Sequence, residues 1–200
     1  MKRLILPLLT SILFANDNNI NQAIINLENT HYDKAIQQLK EMPENQQRDF
    51  LLGKAYYERH LTYTDYKFAL QYFQKAKTPR AYYYLAQMYE KGMGVEKDIF
   101  QAIEYYKLSN TKEAKYELAQ FYLTGEYTLK NPDISLSLLK ESAKAGYNKA
   151  QFLLGKLYLT DNDVTNKNLS EAAKWLFLAA QNGNSEARKL WNKYKLYRYK

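Results

Sequence analysis

An all-α solenoid of about five helical hairpins, closed by a C-terminal helix, is the fold this sequence predicts. Two residue columns and the placement of glycine predict it. In the first column leucine and a small residue precede tyrosine: Leu52-Gly53…Tyr56, Leu85-Ala86…Tyr89, Leu118-Ala119…Tyr122 and Leu154-Gly155…Tyr158. These segments lie 33, 33 and 36 residues apart. A period in the mid-thirties with helical patterning inside it means stacked helix pairs. In the second column a small residue recurs at Ala35, Ala69, Ala102, Ser137 and Ala172, spaced by 34, 33, 35 and 35 residues. A polar helix start precedes it at Asp65-Tyr66, Asp98-Ile99, Asp133-Ile134 and Asn168-Leu169. Asp and Asn cap helix N-termini by accepting backbone N–H bonds. The two columns define helix A and helix B of each unit.

Taken in order, the first unit covers 20–41 and pairs Ile20–Glu28 with His31–Lys40. The others cover about 48–77, 81–109, 114–145 and 150–182. Gly146 and Gly183 fall just after helix B, where a left-handed residue ends a helix. Gly92, Gly94 and Gly125 separate helix A from helix B. Gly53 and Gly155 stand inside helix A, in register with Ala86 and Ala119, which points to close approach of a neighbouring helix rather than to a special backbone angle. The last segment, 185–200, reads as one helix, with Ala187, Leu190, Trp191, Tyr194 and Tyr197 on one face. Six of its last thirteen residues are basic and none is acidic. An end helix shields the last repeat of a solenoid; a basic helix also suits an anionic surface.

The chain begins MKRLILPLLTSILFA, with a basic Lys2-Arg3 start, an apolar stretch from Leu4 to Phe14 and a small residue at Ala15. Eleven residues interrupted by Pro7 are too short to span a bilayer. The pattern predicts a cleaved secretory signal over 1–15 and a single helical-repeat domain over 16–200. The protein is therefore expected in the periplasm or outside the cell. Cysteine is absent, which removes both disulfides and a lipidated cysteine. Loss of Lys2 and Arg3 takes the net charge from +8 to +6, a surface that favours anionic partners weakly.

The segment from Ala81 to Asp98 (Ala81, Leu85-Ala86, Tyr89, Gly92-Met93-Gly94-Val95, Asp98) resembles the Sel-one-like repeat, a relative of the tetratricopeptide repeat. Ala150 to Tyr158 resembles the first half of that unit, and Ala172-Ala173-Lys174-Trp175 through Gly183 the second. Departures fall in the turns: Arg59-His60-Leu61-Thr62 replaces Gly-x-Gly-Val in the second unit, the fourth has only Gly125 with two extra residues before Asp133, and 161–167 has no glycine. The resemblance covers about 48–187. It implies an α-α superhelix acting as an adaptor or scaffold, often in exported bacterial proteins. Some exported members are cysteine-rich and β-lactamase-like, so the resemblance also implies an alternative, binding or hydrolysis of β-lactams or peptidoglycan.

The residues point to little chemistry. His31 and His60 are the only histidines and sit in different units, so no metal site is expected. Ser137-Leu138-Leu139-Lys140 spells Ser-x-x-Lys, without the companion Ser-Asp-Asn and Lys-Thr-Gly motifs. Ser137 also falls in the small-residue column, where packing explains it. Gly92-Met93-Gly94 follows a helix, so a Rossmann phosphate loop is excluded. No cofactor, no catalytic residue and no nucleic-acid partner is expected.

A surface is the better candidate. With the first alanine of helix A at zero and 100° per residue, leucine at +4 and tyrosine at +8 share its face. The aromatic column Phe50, Tyr83, Tyr116 and Phe152 at +2 is expected to pack. Positions +3, +6 and +10 form a stripe that changes between units: Leu51, Lys54 and Glu58; Tyr84, Gln87 and Lys91; Glu117, Gln120 and Thr124; Leu153, Lys156 and Thr160. In helical-hairpin solenoids helix A lines the concave side. The expected function is thus a non-enzymatic scaffold that binds a segment of another protein along this stripe. A further alternative is an envelope-associated factor holding an anionic component through the basic tail, Arg188 to Lys200.

Overall fold

Helix follows helix through the computed structural model, which describes residues 19–59 and 62–199. The signal-peptide expectation on 1–15 lies outside the described residues, as does His60. The helices are α1 (19–28), α2 (Tyr32–Lys40), α3 (Gln46–Arg59), α4 (Tyr63–Ala76), α5 (Pro79–Lys91) and α6 (Ile99–Ser109), then α7 (Lys112–Thr124), α8 (Pro132–Lys144), α9 (Asn148–Leu157), α10 (Leu169–Gln181) and α11 (Ser185–Lys193). No strand occurs among the described residues. Two compact units divide the chain, one ending at Ala102 and the next beginning at Ile103.

In the first unit the α3–α4 hairpin is built around Phe73, which is fully buried. Its ring stacks on Tyr84 at 4.8 Å and meets Phe50 at 6.0 Å and Tyr57 at 6.3 Å. Gly53 makes this possible, because a Cβ there would lie 2.6 Å from the Phe73 ring. Gly94 serves the next turn in the same way: its φ is +71° and a Cβ would lie 2.6 Å from the Tyr66 backbone. In the second unit Ala119, Leu139, Ala143, Ala150, Leu154 and Trp175 form one core cluster. Leu159, Ala172, Ala173, Leu176, Ala179, Ala187 and Leu196 form another.

Three of the helix B starts obey one rule. Asp98, Asn131 and Asn168 each accept a backbone N–H three residues on, at 2.9, 3.0 and 3.0 Å. Each also donates its own N–H to the carbonyl of a helix A tyrosine: Asp98 to Tyr89, Asn131 to Tyr122 and Asn168 to Tyr158, all at 2.9 Å. This corrects the fourth unit. Its cap is Asn131 rather than Asp133, with Pro132 at the first helical position, where a missing N–H costs nothing. Gly125 to Asn131 is then as long as Gly92 to Asp98, and the two extra residues disappear. The small-residue column passes through Ser135, which is fully buried and donates its hydroxyl to the Ala119 carbonyl at 2.8 Å. Ser137 is exposed. In α4 the helix starts a turn before Asp65, at the Thr62 cap, and Asp65 closes a capping box by accepting from the Thr62 N–H at 3.0 Å.

The C-terminal segment is not one helix over 185–200. α11 ends at Lys193, Lys195 is left-handed at φ 51°, and a 3₁₀ turn follows over Leu196–Tyr199. The break lets Leu196 fold back into the core, where it is fully buried.

Gly155→Ala tests the close approach of α9 and α10. A Cβ would lie 2.6 Å from Leu176 Cγ, so the gain in helix propensity is expected to be outweighed by overpacking of about 1–3 kcal/mol. Urea denaturation reads this directly; an unchanged midpoint would show that Leu176 moves aside freely.

Candidate partner-binding surface

Helix A sets the geometry. Its zero position is fully buried at Ala81, Ala114 and Ala150, and its +4 leucines 52, 85, 118 and 154 are buried too. What remains toward solvent is the edge carrying +6 and +10. In the first unit Lys54 is half-buried, with Nζ 3.5 Å from Glu58. Gln87 donates its amide to the Tyr83 hydroxyl at 3.2 Å, and Lys91 is exposed. In the second unit Gln120 donates to Glu117 at 2.9 Å, and the exposed Lys156 ammonium lies 5.5 Å from the Phe152 ring centroid. Thr124 and Thr160 are exposed.

The +3 positions behave differently, and this corrects the expected stripe. Leu51 is 7% exposed and belongs to the core. Tyr84 is half-buried, with its ring stacked on Phe73 and edge-on to Tyr57 at 5.0 Å. Leu153 packs against the Ala119–Trp175 cluster. A residue at +3 therefore leans on the preceding hairpin, which a single-helix projection does not show. Glu117 keeps its carboxylate beside a half-buried phenol: burial first, then Glu117 and Glu113, pushes the Tyr147 pKa up to about 12. Tyr147 meets Tyr116 edge-on at 5.3 Å. The +2 aromatics pack as well, since Phe50 touches Phe73 and Phe152 joins the Leu176 cluster.

Three features escape the sequence pattern. Arg48 occupies the alanine column of helix A, yet it is 6% exposed. Its guanidinium donates to Asp49 at 2.6 and 3.1 Å and to the Met42 carbonyl at 3.0 Å, with Glu44 at 3.2 Å. Burial alone pulls the Arg48 pKa down, and the bonds to Asp49 and Glu44 outweigh it. Trp191 occupies the leucine column in α11, where the others are buried; its indole nitrogen is buried without a hydrogen-bond partner among the described residues, a state that costs about 1–3 kcal/mol. The tail is the third: Arg188, Lys189, Lys193, Lys195 and Arg198 are exposed, Lys189 pairs with Glu186 at 2.7 Å, and Lys200 lies outside the described residues. His31 is exposed at the start of α2.

The model of one family, the Sel1 repeat, matches 49–78, 79–110, 112–147 and 148–184, more than half of the chain. The chain belongs to the Sel1 repeat family. A Sel1 repeat protein from Oxalobacter formigenes superposes with a TM-score of 0.77 at 23% identity, covering 87% of this chain and 74% of that one. The protective antigen c5321 of uropathogenic Escherichia coli, which displays an SLR fold, superposes at 0.66 and 23% identity, over 81% of this chain and 36% of its own. The mouse DAP3-binding cell death enhancer 1 is 44% identical over 132 residues, 62% of this chain. This Sel1 repeat protein spans only 25% of that relative's length. The structural likenesses give the fold, a Sel1 solenoid of helical hairpins.

Proposed function

We propose that this protein is an exported, non-enzymatic scaffold that binds an extended segment of another protein on the open edge of its A helices. Sel1 repeat proteins generally act as scaffolds for protein–protein interaction. One observation carries the reading to residues: the +4 leucines are buried and the zero position is a buried alanine in each of these helices except at Arg48, while +6 and +10 change from repeat to repeat and are half-buried or exposed. The set at +6 and +10 is Lys54, Glu58, Gln87 and Lys91 in the first unit and Gln120, Thr124, Lys156 and Thr160 in the second, where the half-buried Glu117 accepts from Gln120. Amides, ammonium groups and carboxylates offer both donors and acceptors to a peptide backbone. Tyr84, Leu153 and Leu51 support this edge from beneath. Export rests on Lys2-Arg3, the apolar run from Leu4 to Phe14 and the small residue at Ala15.

The test is a photo-crosslinking amino acid at Gln87, activated in intact cells. The expected product is one discrete protein adduct of the mature chain starting at Asn16, recovered outside the cytoplasm. Lys54→Glu combined with Lys156→Glu should abolish it without changing the unfolding midpoint. An adduct that survives both substitutions places the contact elsewhere, and one confined to the cytoplasm overturns export.

A further inference from the structure

α11 has the pattern of the A helix of a sixth repeat, with Ala187 at zero and Trp191 at +4. In the preceding hairpin the equivalent surface of α9, Gln151, Leu154 and Gly155, is covered by α10: Leu154 shares a cluster with Trp175, and Leu176 lies against Gly155. On α11 the same positions are Arg188, Trp191 and Asn192. Together with Phe177, Ala180 and Gln181 of α10 they line a cavity of about 200 Å³. The Trp191 indole nitrogen is a buried donor without a partner among the described residues.

What fits there is narrower than a helix. Helix B approaches its A helix over a glycine or alanine, at Gly53, Ala119 and Gly155. Asn192 fills that place, so a helix seated as α10 sits on α9 is blocked. An extended chain is thinner and carries bare backbone N–H and C=O groups, and the amides of Gln181 and Asn192 each supply a donor and an acceptor. Charge chooses the side chains. Arg188 has no carboxylate within ion-pair distance among the described residues. A second depression of about 330 Å³, which includes Ser185 and Lys189, shares Arg188 and Asn192 with the first. Lys193, Lys195 and Arg198 are exposed nearby in the chain, and the one acidic residue of α11, Glu186, is paired with Lys189.

We propose that this end of the second unit binds an extended acidic peptide segment of another protein. One apolar side chain enters the cavity beside Phe177 and Trp191. An adjacent aspartate or glutamate accepts charge-assisted hydrogen bonds from Arg188. The site shares no residue with the outward helix A positions, so it adds a second contact to the scaffold reading, and each stands or falls alone.

The test uses the full-length mature chain, ¹⁵N-labelled, and two short synthetic peptides of serine and glycine. One carries a single leucine between aspartate and glutamate; the other has lysine in place of both acids. The two tryptophans give two indole N–H signals, and that of Trp175 is already committed to Glu171 at 2.8 Å. Expected is a saturable shift of the Trp191 signal, not of Trp175, with the acidic peptide only. Arg188 is exposed, so Arg188→Glu keeps the fold and should weaken binding by about tenfold or more. Lys54→Glu and Lys156→Glu should leave it unchanged. Equal binding of the lysine peptide, an unmoved Trp191 signal or full affinity in Arg188→Glu overturns the proposal. So does a Trp191 shift that grows with protein concentration alone, which would make the occupant a second copy.

Discussion

Phe73→Ala is expected to lower the free energy of unfolding by about 3–5 kcal/mol. Phe73 is fully buried and is the shared neighbour of Phe50, Tyr57 and Tyr84. Truncation removes both the buried ring and the stacked geometry with Tyr84, which adds about 0.5–1.5 kcal/mol beyond area. Collapse cannot close the void easily, because the nearest surface on α3 is Gly53, which has no side chain to extend into it. Phe73→Leu, the residue type at the equivalent buried positions 139 and 176, should lose much less. Equilibrium urea unfolding measures both. A loss below about 1 kcal/mol for the alanine variant would mean that the aromatic cluster repacks around the gap.

Asp49→Ala is expected to cost about 3 kcal/mol, because it strands the Arg48 guanidinium in a site closed to water. The Met42 carbonyl and Glu44 remain, but Asp49 accepts two of the guanidinium's hydrogen bonds, at 2.6 and 3.1 Å, the first of them its shortest contact. The double replacement Arg48→Ala with Asp49→Gln copies Ala150-Gln151, the pair that the same position uses in the second unit. It should recover most of the loss, since removing both partners leaves no orphaned charge. A double variant as unstable as the single one would show that the ion pair itself, rather than its disruption, holds the start of α3.

Most of the fold was legible because its signals are local. Leucine at +4, a small residue at +5 and a capping oxygen ahead of helix B each act within one or two turns, and they recur in the hairpins from α3 to α10. The fourth helix B was misplaced by two residues because Asp133-Ile134 imitates Asp98-Ile99. Loop length was the better guide: counting six residues from Gly125 reaches Asn131, and Pro132 marks the first turn. The stripe was only half legible for a different reason. A helical wheel assigns angles on one helix, whereas burial of Leu51 and stacking of Tyr84 depend on which neighbouring helix leans on that angle. The Arg48 site and the Trp191 cavity announced themselves as wrong residue types in conserved columns, an arginine among alanines and a tryptophan among leucines. Neither could be interpreted without knowing what each one touches.

The backbone bond from the Asp98, Asn131 and Asn168 caps to a helix A tyrosine carbonyl separates two things that usually vary together, where a helix is delivered and how much chain delivers it. In the hairpins bonded at Tyr89 and Tyr122 the tether closes nine residues on; at Tyr158 it closes ten residues on, with the same 2.9 Å contact. The segment between is not slack: in the last of these turns Leu159 and Thr165 are buried, and Asp161 accepts the Lys167 N–H at 2.8 Å. It nevertheless takes one more residue than the other two without lengthening the bond at its base. The exposed stretch around Asp161–Asp163 is where that extra chain is taken up.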